Sequence, residues 1–481
     1  MSTLIAPGPR EVVSEERAVE IVIEWKAQIK SASSSSVETV VLTNKSYTAE
    51  AASVIATFLT EKLSDLDGKS VADGVKVADL SDMIASRMEK EGLQVLTTIC
   101  NAFEGSNLDE VDLSDNAMGS KGISACSSVL QGQTSSLKRL SMCNNGLSAD
   151  SMDEVADILT GVSGDNHENS ENTSCICDNL TKINFYNNMS GDGGCKAFAR
   201  ILKKCGSSKA LSDIRFSGTR AGRPGSLHVS EALKSIADSG SLEKLTRLDL
   251  ADNTFGTEGA ANLASVFSKC PHLTYVNLRD CILNDEGANA ICKSLWSIGA
   301  PLVHLDMSGN EITKNGSSNL AELVEDIACS SLKVLHCEEN ELSSRGIVLL
   351  ALALVGESDC GDESQSSSCI LEEIRLGMNE CGNVGGRALI GLASADKLPA
   401  LKKICLDNNM FQDDVAEELV NVYGEKLEEM EDNDPDEDID EDYDSDEDDD
   451  GDNSDDGQKD VGNDVDLDDL QEKVSKMSLN R

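Results

Sequence analysis

A short phrase of apolar residues returns at a regular interval through most of the chain. The phrase reads apolar-x-x-apolar-x-apolar, occurs twelve times between Val37 and Phe411, and in most copies Asn follows three residues after its last apolar residue. A segment that returns at a period of about 30 residues builds the same structural unit many times, and each unit stacks on its neighbours. The copies begin at Val37, Val75, Leu108, Leu137, Leu180, Leu211, Leu245, Leu273, Leu302, Leu332, Leu371 and Leu401.

The copy that starts at Leu245 indicates what one unit forms, with positions counted from that residue. Leu245, Leu248 and Leu250 stand at positions 1, 4 and 6, as in a short buried strand and its approach. Residues 259–268 then carry apolar side chains at helical spacing. Each unit therefore predicts strand, loop and helix. The predicted fold class is α/β: a leucine-rich-repeat solenoid, a ribonuclease-inhibitor-like horseshoe with a parallel sheet on the concave face and helices on the convex face.

Asn at position 9 has a structural purpose in such a unit. Its amide can pair buried backbone groups in the turn after the strand, and each such group costs about 1–3 kcal/mol if it stays unpaired. We predict that eight position-9 asparagines form a buried ladder: Asn116, Asn145, Asn188, Asn253, Asn310, Asn340, Asn379 and Asn409.

The repeats also divide the chain. We predict an N-terminal helical cap over residues 1–36, with its helix at Val13 to Ile29, and a domain of about twelve leucine-rich repeats over 37–425. An acidic disordered tail over 426–464 and a short amphipathic segment over 465–481 follow. Two polar inserts, Val162 to Asn179 and Gly356 to Cys369, are predicted to be mobile loops.

Charge and hydropathy restrict the partners. Residues 428–457 contain 20 acidic residues among 30 and no Lys or Arg, and the whole chain has a net charge of −46. Phosphate backbones are bound by concentrated Lys and Arg, so we expect no nucleic-acid partner and favour basic protein surfaces. No apolar stretch approaches the ~20 residues of a membrane span. Leu4-Ile5-Ala6 is interrupted by Pro7, so we expect no signal peptide, and we expect a cytoplasmic monomer.

Sites for chemistry are not evident in the pattern. The 16 cysteines are spread along the chain and fit reduced, buried thiols, and Cys175-x-Cys177 lacks a second pair at zinc spacing. His304 and His336 fall on strand positions of the concave face, but nothing pairs them with a nucleophile. We therefore expect no metal, no cofactor and no independent catalytic site, and a protein that acts by binding.

Two repeats depart from the phrase. In the second, Met83 replaces the ladder Asn and Arg87 ends the loop. In the fourth, Asn144 stands at position 8 beside the ladder residue Asn145. The pattern alone leaves a plain alternative open for each, because a loop Arg is commonly just solvated and spare asparagines also occur at position 8 elsewhere.

The order of the loops resembles the Ran GTPase-activating proteins, specifically the plant-type members, from about Val37 to Phe411. The acidic tail after a repeat domain is also that family's plan. The resemblance is carried by Leu113-Ser-Asp-Asn-Ala-Met-Gly119, Cys143-Asn-Asn-Gly-Leu147, Phe185-Tyr-Asn-Asn-Met-Ser-Gly-Asp-Gly-Gly194, Phe216-Ser-Gly-Thr-Arg-Ala-Gly222, Leu248-Asp-Leu-Ala-Asp-Asn-Thr-Phe-Gly256 and Asn284-Asp-Glu-Gly287.

The resemblance implies two site residues and a partner. The family's loop Arg matches Arg87, with Ser86 in place of the usual Gly, and the first Asn of its Asn-Asn-Gly phrase matches Asn144. In that family the Arg engages Ran and the Asn helps to order Ran's own Gln, while Ran-GTP carries the nucleotide and magnesium. The implied function is a GTPase activator in nucleocytoplasmic transport, with no catalytic centre of its own. The sequence leaves open whether a Ran-binding accessory protein takes part.

Location and rival functions remain as expectations. The Trp-Pro-Pro phrase of the plant members does not occur, which argues against nuclear-envelope anchoring and leaves a perinuclear location open. Leu470 to Leu479 resembles a leucine-rich nuclear export signal, a spacing that chance also produces. The alternatives are an acidic leucine-rich histone-binding protein, whose repeats are shorter, and a general protein-interaction scaffold.

Overall fold

The fold is taken from a computed structural model, which describes residues 2–32, 36–162, 174–355, 368–428, 430 and 432–435. The chain divides into two compact units, Met1–Phe255 and Gly256–Arg481, called unit 1 and unit 2. Both units consist of parallel strands that alternate with helices along the chain.

Unit 1 carries the cap segment, the first six repeats and the strand of the seventh repeat. Its main sheet is parallel, in the order β1-β3-β5-β6-β7-β8-β9-β10, and β2 pairs with β4 separately. The strands are β1 Ser2–Ile5, β2 Val12–Val13, β3 Val37–Val41, β4 Ser46–Tyr47, β5 Val77–Asp79, β6 Glu110–Asp112, β7 Arg139–Ser141, β8 Lys182–Asn184, β9 Asp213–Arg215 and β10 Arg247–Asp249. The helices are α1 Glu15–Ser31, α2 Ala49–Thr60, α3 Val71–Gly74, α4 Glu89–Asn101, α5 Gly122–Leu130, α6 Ala149–Thr160, α7 Gly191–Cys205 and α8 Arg223–Asp238.

Unit 2 begins with the helix of the seventh repeat and continues to the last repeat. Its strands are parallel, in the order β11-β12-β13-β14-β15. They are β11 Tyr275–Asn277, β12 His304–Asp306, β13 Val334–His336, β14 Glu373–Arg375 and β15 Lys403–Cys405. The helices are α9 Gly256–Phe267, α10 Asn284–Ser297, α11 Ser317–Ala328, α12 Ser343–Val355, α13 Asn383–Ser394 and α14 Asp413–Tyr423.

The repeat phrase predicts the strands and their register. A strand occupies positions 3 to 5 of every repeat, and position 4 of one strand pairs with position 4 of the next, as Val111 does with Leu140. Leu245, Leu248 and Leu250 are fully buried, as predicted for positions 1, 4 and 6 of the repeat. The predicted α/β leucine-rich-repeat fold is confirmed, because apolar side chains at positions 1, 4 and 6 have only one sheltered side on which to lie.

The asparagine ladder is also confirmed, and all eight predicted members are buried. Asn253 is representative: its Nδ2 donates to the carbonyl of Phe216 in the preceding repeat at 2.7 Å and to the carbonyl of Leu250 in its own repeat at 2.9 Å. At Met83, where the amide is missing, the Tyr47 hydroxyl donates instead to the carbonyl of Leu42 at 3.2 Å. The second repeat therefore loses its ladder Asn without leaving that buried carbonyl unpaired.

The cap segment contains the predicted helix and a strand that the repeat phrase does not predict. Helix α1 starts after Ser14, whose side chain accepts the N–H of Arg17. Strand β1 pairs in parallel with β3, and the indole N–H of the buried Trp25 donates to the carbonyl of Ile5 at 2.9 Å. The cap thus supplies backbone partners to the first repeat as well as apolar cover.

The last repeat is covered by residues that follow it. Leu427 bridges to Ile404, and the Asn433 side chain exchanges hydrogen bonds with the backbone of Phe411, at 3.0 Å to its N–H and 2.7 Å to its carbonyl. The predicted boundary between residues 425 and 426 lies beside these contacts. The acidic residues after 435, the export-like segment Leu470 to Leu479, and residues 163–173 and 356–367 of the two inserts lie outside the described residues.

None of the helices in the described ranges has both the length and the apolar character that crossing a bilayer requires. The cysteines in those ranges carry free thiols, and most of them are buried among the repeat layers.

Candidate functional site

The loop that leaves each strand has a left-handed backbone at position 8. In all twelve repeats the residue at position 8 has φ between +46° and +67°. Asn, Asp and Gly adopt this conformation at lower cost than other residues. The residues are Asn44, Asp82, Asp115, Asn144, Asn187, Gly218, Asp252, Asp280, Gly309, Glu339, Met378 and Asn408. An Asn at position 8 therefore meets a backbone requirement that all twelve repeats share. Its presence at position 8 does not by itself distinguish Asn144 from the other residues there.

Asn144 is distinguished by its hydrogen bonds to the neighbouring repeats on both sides. Asn144 is exposed, its Nδ2 donates to an Asp115 carboxylate oxygen at 2.8 Å, and its Oδ1 accepts from the Nδ2 of Asn187 at 3.0 Å. These three residues are called the amide row. The carboxylate at one end and the second amide at the other fix the plane of the Asn144 side chain. The row presents an oriented polar edge to solvent.

Arg10 of the N-terminal cap adds a positive charge next to this edge. The Arg10 guanidinium donates to a carboxylate oxygen of Asp82 at 2.8 Å, and Asp82 holds position 8 in the repeat before Asp115. Burial raises the pKa of the Asp82 carboxyl, the charge of Asp115 raises it further, and Arg10 acts against both. The Arg10 side chain is more than half exposed, so it offsets the charge of Asp82 and remains accessible.

Arg87 lies in a tight turn after β5. The N–H of Arg87 donates to the carbonyl of Ile84 at 3.0 Å, and Ser86 has φ +64°, the conformation for which Gly is best suited. The turn is held from the first repeat, because the Ser46 hydroxyl donates to the carbonyl of Ala85 at 2.5 Å. Ser86 thus has a backbone conformation that Gly adopts at lower cost.

The Arg87 side chain folds back towards helix α4. It is 16% exposed, its Nη1 lies 3.6 Å from a carboxylate oxygen of Glu91, and its Nε is buried without a hydrogen-bond partner. A guanidinium with one long ion pair and one unpaired nitrogen is weakly held. It can exchange this contact for a better acceptor at small cost.

Arg87 and Asn144 leave the same edge of the unit 1 sheet, at the carboxyl ends of β5 and β7. Only β6 separates these strands, so two strand spacings, or about 10 Å, lie between them. Within the described residues no hydrogen bond or ion pair joins Arg87 to Asn144. The two predicted site residues share an edge and do not touch each other.

Three residues at this edge were not singled out from the sequence. Asp115 and Tyr186 occupy positions 8 and 7, so a count of loop positions across repeats could have found them. Tyr186 is exposed, and the Arg215 guanidinium lies 5.7 Å from its ring centre. Arg10 precedes the first repeat, so no periodic signal marks it.

Comparison with known proteins agrees with the fold. The family model described as Leucine Rich repeat matches residues 106–125, 241–264, 269–292 and 300–321. The chain is also similar to Ribonuclease inhibitor of Mus musculus, with 23% identity over 338 residues that cover 63% of this chain and 65% of the relative.

Two similar proteins from Arabidopsis thaliana match over shorter stretches. RAN GTPase-activating protein 2 is 33% identical over 157 residues, which cover 32% of this chain and 26% of that protein. RAN GTPase-activating protein 1 is 40% identical over 90 residues, which cover 19% of this chain and 15% of that protein. The chain thus matches about a quarter or less of the length of these two relatives.

Proposed function

We propose that this chain activates GTP hydrolysis by the small GTPase Ran, with the strand-exit edge of unit 1 as the contact surface. The observation that carries the proposal is the pairing of an ordered set of loop motifs with similarity to two RAN GTPase-activating proteins. The edge that holds Arg87 and Asn144 supports it, because both residues can face one partner. The activity itself, the partner and a role in nucleocytoplasmic transport are parts of the proposal.

Asn144 would act by orienting a group of the partner. Its amide has a fixed plane, one N–H is used by Asp115, and the second N–H can donate to the side-chain carbonyl of a glutamine. A glutamine held in one orientation positions an attacking water without the entropy loss of ordering it at the moment of reaction. Asn144 is thus a positioning residue.

Arg87 would act by binding. When a partner carboxylate approaches, the guanidinium can leave Glu91 and form a shorter, bidentate pair. The buried Nε gains a partner only if the side chain turns outwards. Docking would therefore remove the free-energy cost of a buried nitrogen that has no hydrogen bond in the free protein. The partner brings the nucleotide, its magnesium ion and the glutamine, and this chain supplies the surface that holds and orders them.

A protein-interaction scaffold is the second candidate. It is favoured by the similarity to Ribonuclease inhibitor, which extends over more of this chain than the similarity to the Arabidopsis proteins. Histone binding through the acidic tail depends on residues outside the described ranges.

The deciding experiment measures GTP hydrolysis by Ran with catalytic amounts of this chain. We expect a faster rate with the wild type and loss of most of the gain with Arg87→Ala. Arg387→Ala is the matched control, since Arg387 is an exposed arginine on helix α13 with one long ion pair to Asp414. An unchanged rate with the wild type contradicts the function, whereas full activity of Arg87→Ala contradicts only the site.

A further inference from the structure

A second polar cluster lies in unit 2, far along the chain from the amide row. His304 and Asp306 are the first and last residues of β12, at positions 3 and 5 of their repeat, so both side chains leave the same face of the strand. The register pairs Asp306 with His336 on β13. Positions 3 and 5 face away from the buried position 4, so the cluster lies on the face of the sheet that the helices do not cover.

The donor atoms of these three side chains converge. One ring nitrogen from each histidine and one oxygen from Asp306 all lie within 4.8 Å of one another. Among the described residues this is the one group of three such side chains that could hold a metal ion. Tetrahedral ligands bonded at about 2.0–2.1 Å lie roughly 3.4 Å apart, so modest side-chain rotations would bring the donors to bonding distance.

The separation of the two rings is compatible with binding to one metal ion. The centres of the His304 and His336 rings are 5.3 Å apart, with an angle of 73° between the ring planes. Two imidazoles bonded to one tetrahedral ion have ring centres roughly 5 Å apart. His304 is also held by stacking on Tyr275, with ring centres 4.3 Å apart and planes 6° from parallel.

Neighbouring groups hold the other two ligands. Glu373 on β14 lies 3.2 Å from the Nε2 of His336, so a proton on Nε2 leaves Nδ1 with its lone pair directed towards Asp306, 3.5 Å away. A carboxylate commonly accepts the one N–H of a metal-bound histidine and so fixes the orientation of its ring. The N–H of Ser308 donates to one oxygen of Asp306 at 3.0 Å and leaves the other for the ion.

The local charge favours a cation. Two arginines near the cluster are each paired with several carboxylates. Arg279 forms ion pairs with Asp280, Glu338 and Glu339. Arg375 forms ion pairs with Glu338, Glu373 and Glu428. With Asp306 added, six carboxylates outnumber the two guanidinium groups, so with neutral histidines the net charge of the site is negative.

We propose that His304, Asp306 and His336 bind a zinc ion, with Glu373 as the supporting carboxylate and the fourth coordination position open to the helix-free face. Two imidazoles and one carboxylate form a ligand set that zinc accepts, and an open position allows a water or a group from a partner protein to bind. This site goes beyond the proposed function and uses none of its residues. It also departs from the sequence-based expectation of no metal, because the spacing between repeats hides the approach of His304 and His336.

The test titrates Zn²⁺ alone into the full chain, freed of any purification tag and of metal, with reduced thiols and a chromogenic chelator as competitor. We expect one tight site per chain, and affinity at least about 10-fold lower in His336→Ala and in Asp306→Asn. His228→Ala is the matched control, because His228 is a partly exposed histidine on helix α8, and its affinity should equal that of the wild type.

Co²⁺ in place of Zn²⁺ identifies the ligand atoms and guards against binding by the cysteines. We expect visible bands of a four- or five-coordinate ion without thiolate charge-transfer absorption. Wild-type affinity in both His336→Ala and Asp306→Asn, or thiolate absorption in the cobalt form, would overturn the proposal. A rise in Tm with Zn²⁺ for the wild type and not for His336→Ala would support it independently.

Discussion

Asn144 and Asn145 are neighbours of identical chemistry, and they belong to two regions that use the amide in opposite ways. Asn145 is fully buried in the ladder, where Nδ2 donates to the carbonyl of Leu113 at 3.0 Å and Oδ1 accepts the N–H of Asn116 at 2.9 Å. Asn144 is exposed in the amide row and bonds only to other side chains through its amide. The ladder amide stabilises the fold, whereas the row amide remains available to a partner.

The largest expected effect comes from breaking the ladder. Asn145→Ala removes both bonds of the amide and leaves the carbonyl of Leu113 and the N–H of Asn116 short of partners. We predict a loss of about 2–4 kcal/mol in the free energy of unfolding, since each buried unpaired group costs about 1–3 kcal/mol. Urea unfolding measures it. A midpoint equal to that of the wild type would contradict the structural role given to position 9.

The next effect concerns the row. Asn144→Gly keeps a residue suited to φ +51° and removes the amide. We predict a change in stability below about 1 kcal/mol and, if the proposed function holds, about 10-fold or greater loss of activation of Ran.

Asn408→Gly is the control for this variant. Asn408 is an exposed position-8 residue with φ +54° in unit 2, so its replacement should leave activation unchanged. Equal activity of the two variants would mean that Asn144 serves the backbone alone.

A smaller effect is expected in the turn that carries Arg87. Ser86→Gly relieves the left-handed strain of a non-glycine residue and loses no packing, because Ser86 is exposed. The gain is offset in part by the greater freedom of glycine in the unfolded chain, so we predict stabilisation of less than about 1 kcal/mol. Thermal unfolding measures it. A lower Tm would show that the Ser86 side chain makes a contribution that its exposure does not suggest.

The smallest effect is electrostatic. The Arg10 cation favours the ionised form of Asp82, so Arg10→Gln should raise the pKa of Asp82 above its value in the wild-type protein. Above the pKa of Asp82 in the variant, the variant lacks a favourable ion pair and is less stable than the wild type. Below the pKa of Asp82 in the wild type, Asp82 is neutral in both proteins and their free energies of unfolding converge. NMR titration of carbon-13-labelled aspartate, assigned with Asp82→Asn, gives the shift. No upward movement would mean that the ion pair does not persist in solution.

Much of the fold could be predicted because few backbone arrangements bury the apolar side chains of the repeat and also pair the backbone groups of its turn. Leu245, Leu248 and Leu250 are buried as expected, and Asn253 makes the backbone bonds expected of position 9. Strand β1 could not be predicted from the repeat phrase, because a single strand has no period.

The candidate site was harder to predict. The sequence could mark Arg87 and Asn144 as departures from the repeat, and their roles towards a partner stay predictions. It could not indicate that the backbone at position 8 is left-handed in every repeat. From the sequence Asn144 therefore looked more exceptional than its backbone conformation makes it.

The sequence by itself determined the strand, the turn and the buried ladder, because these follow from contacts within one repeat and its neighbour and recur with the same period. Only the tertiary structure decided which side chains of different repeats meet: Asp115 with Asn144, Arg10 with Asp82, and His336 with Asp306. Such pairs depend on which polar side chains occupy facing positions of neighbouring repeats and on how those side chains turn, and Arg10 lies in a cap outside the repeats. The repeat phrase specifies only the apolar positions and the ladder Asn, so it does not indicate these pairs.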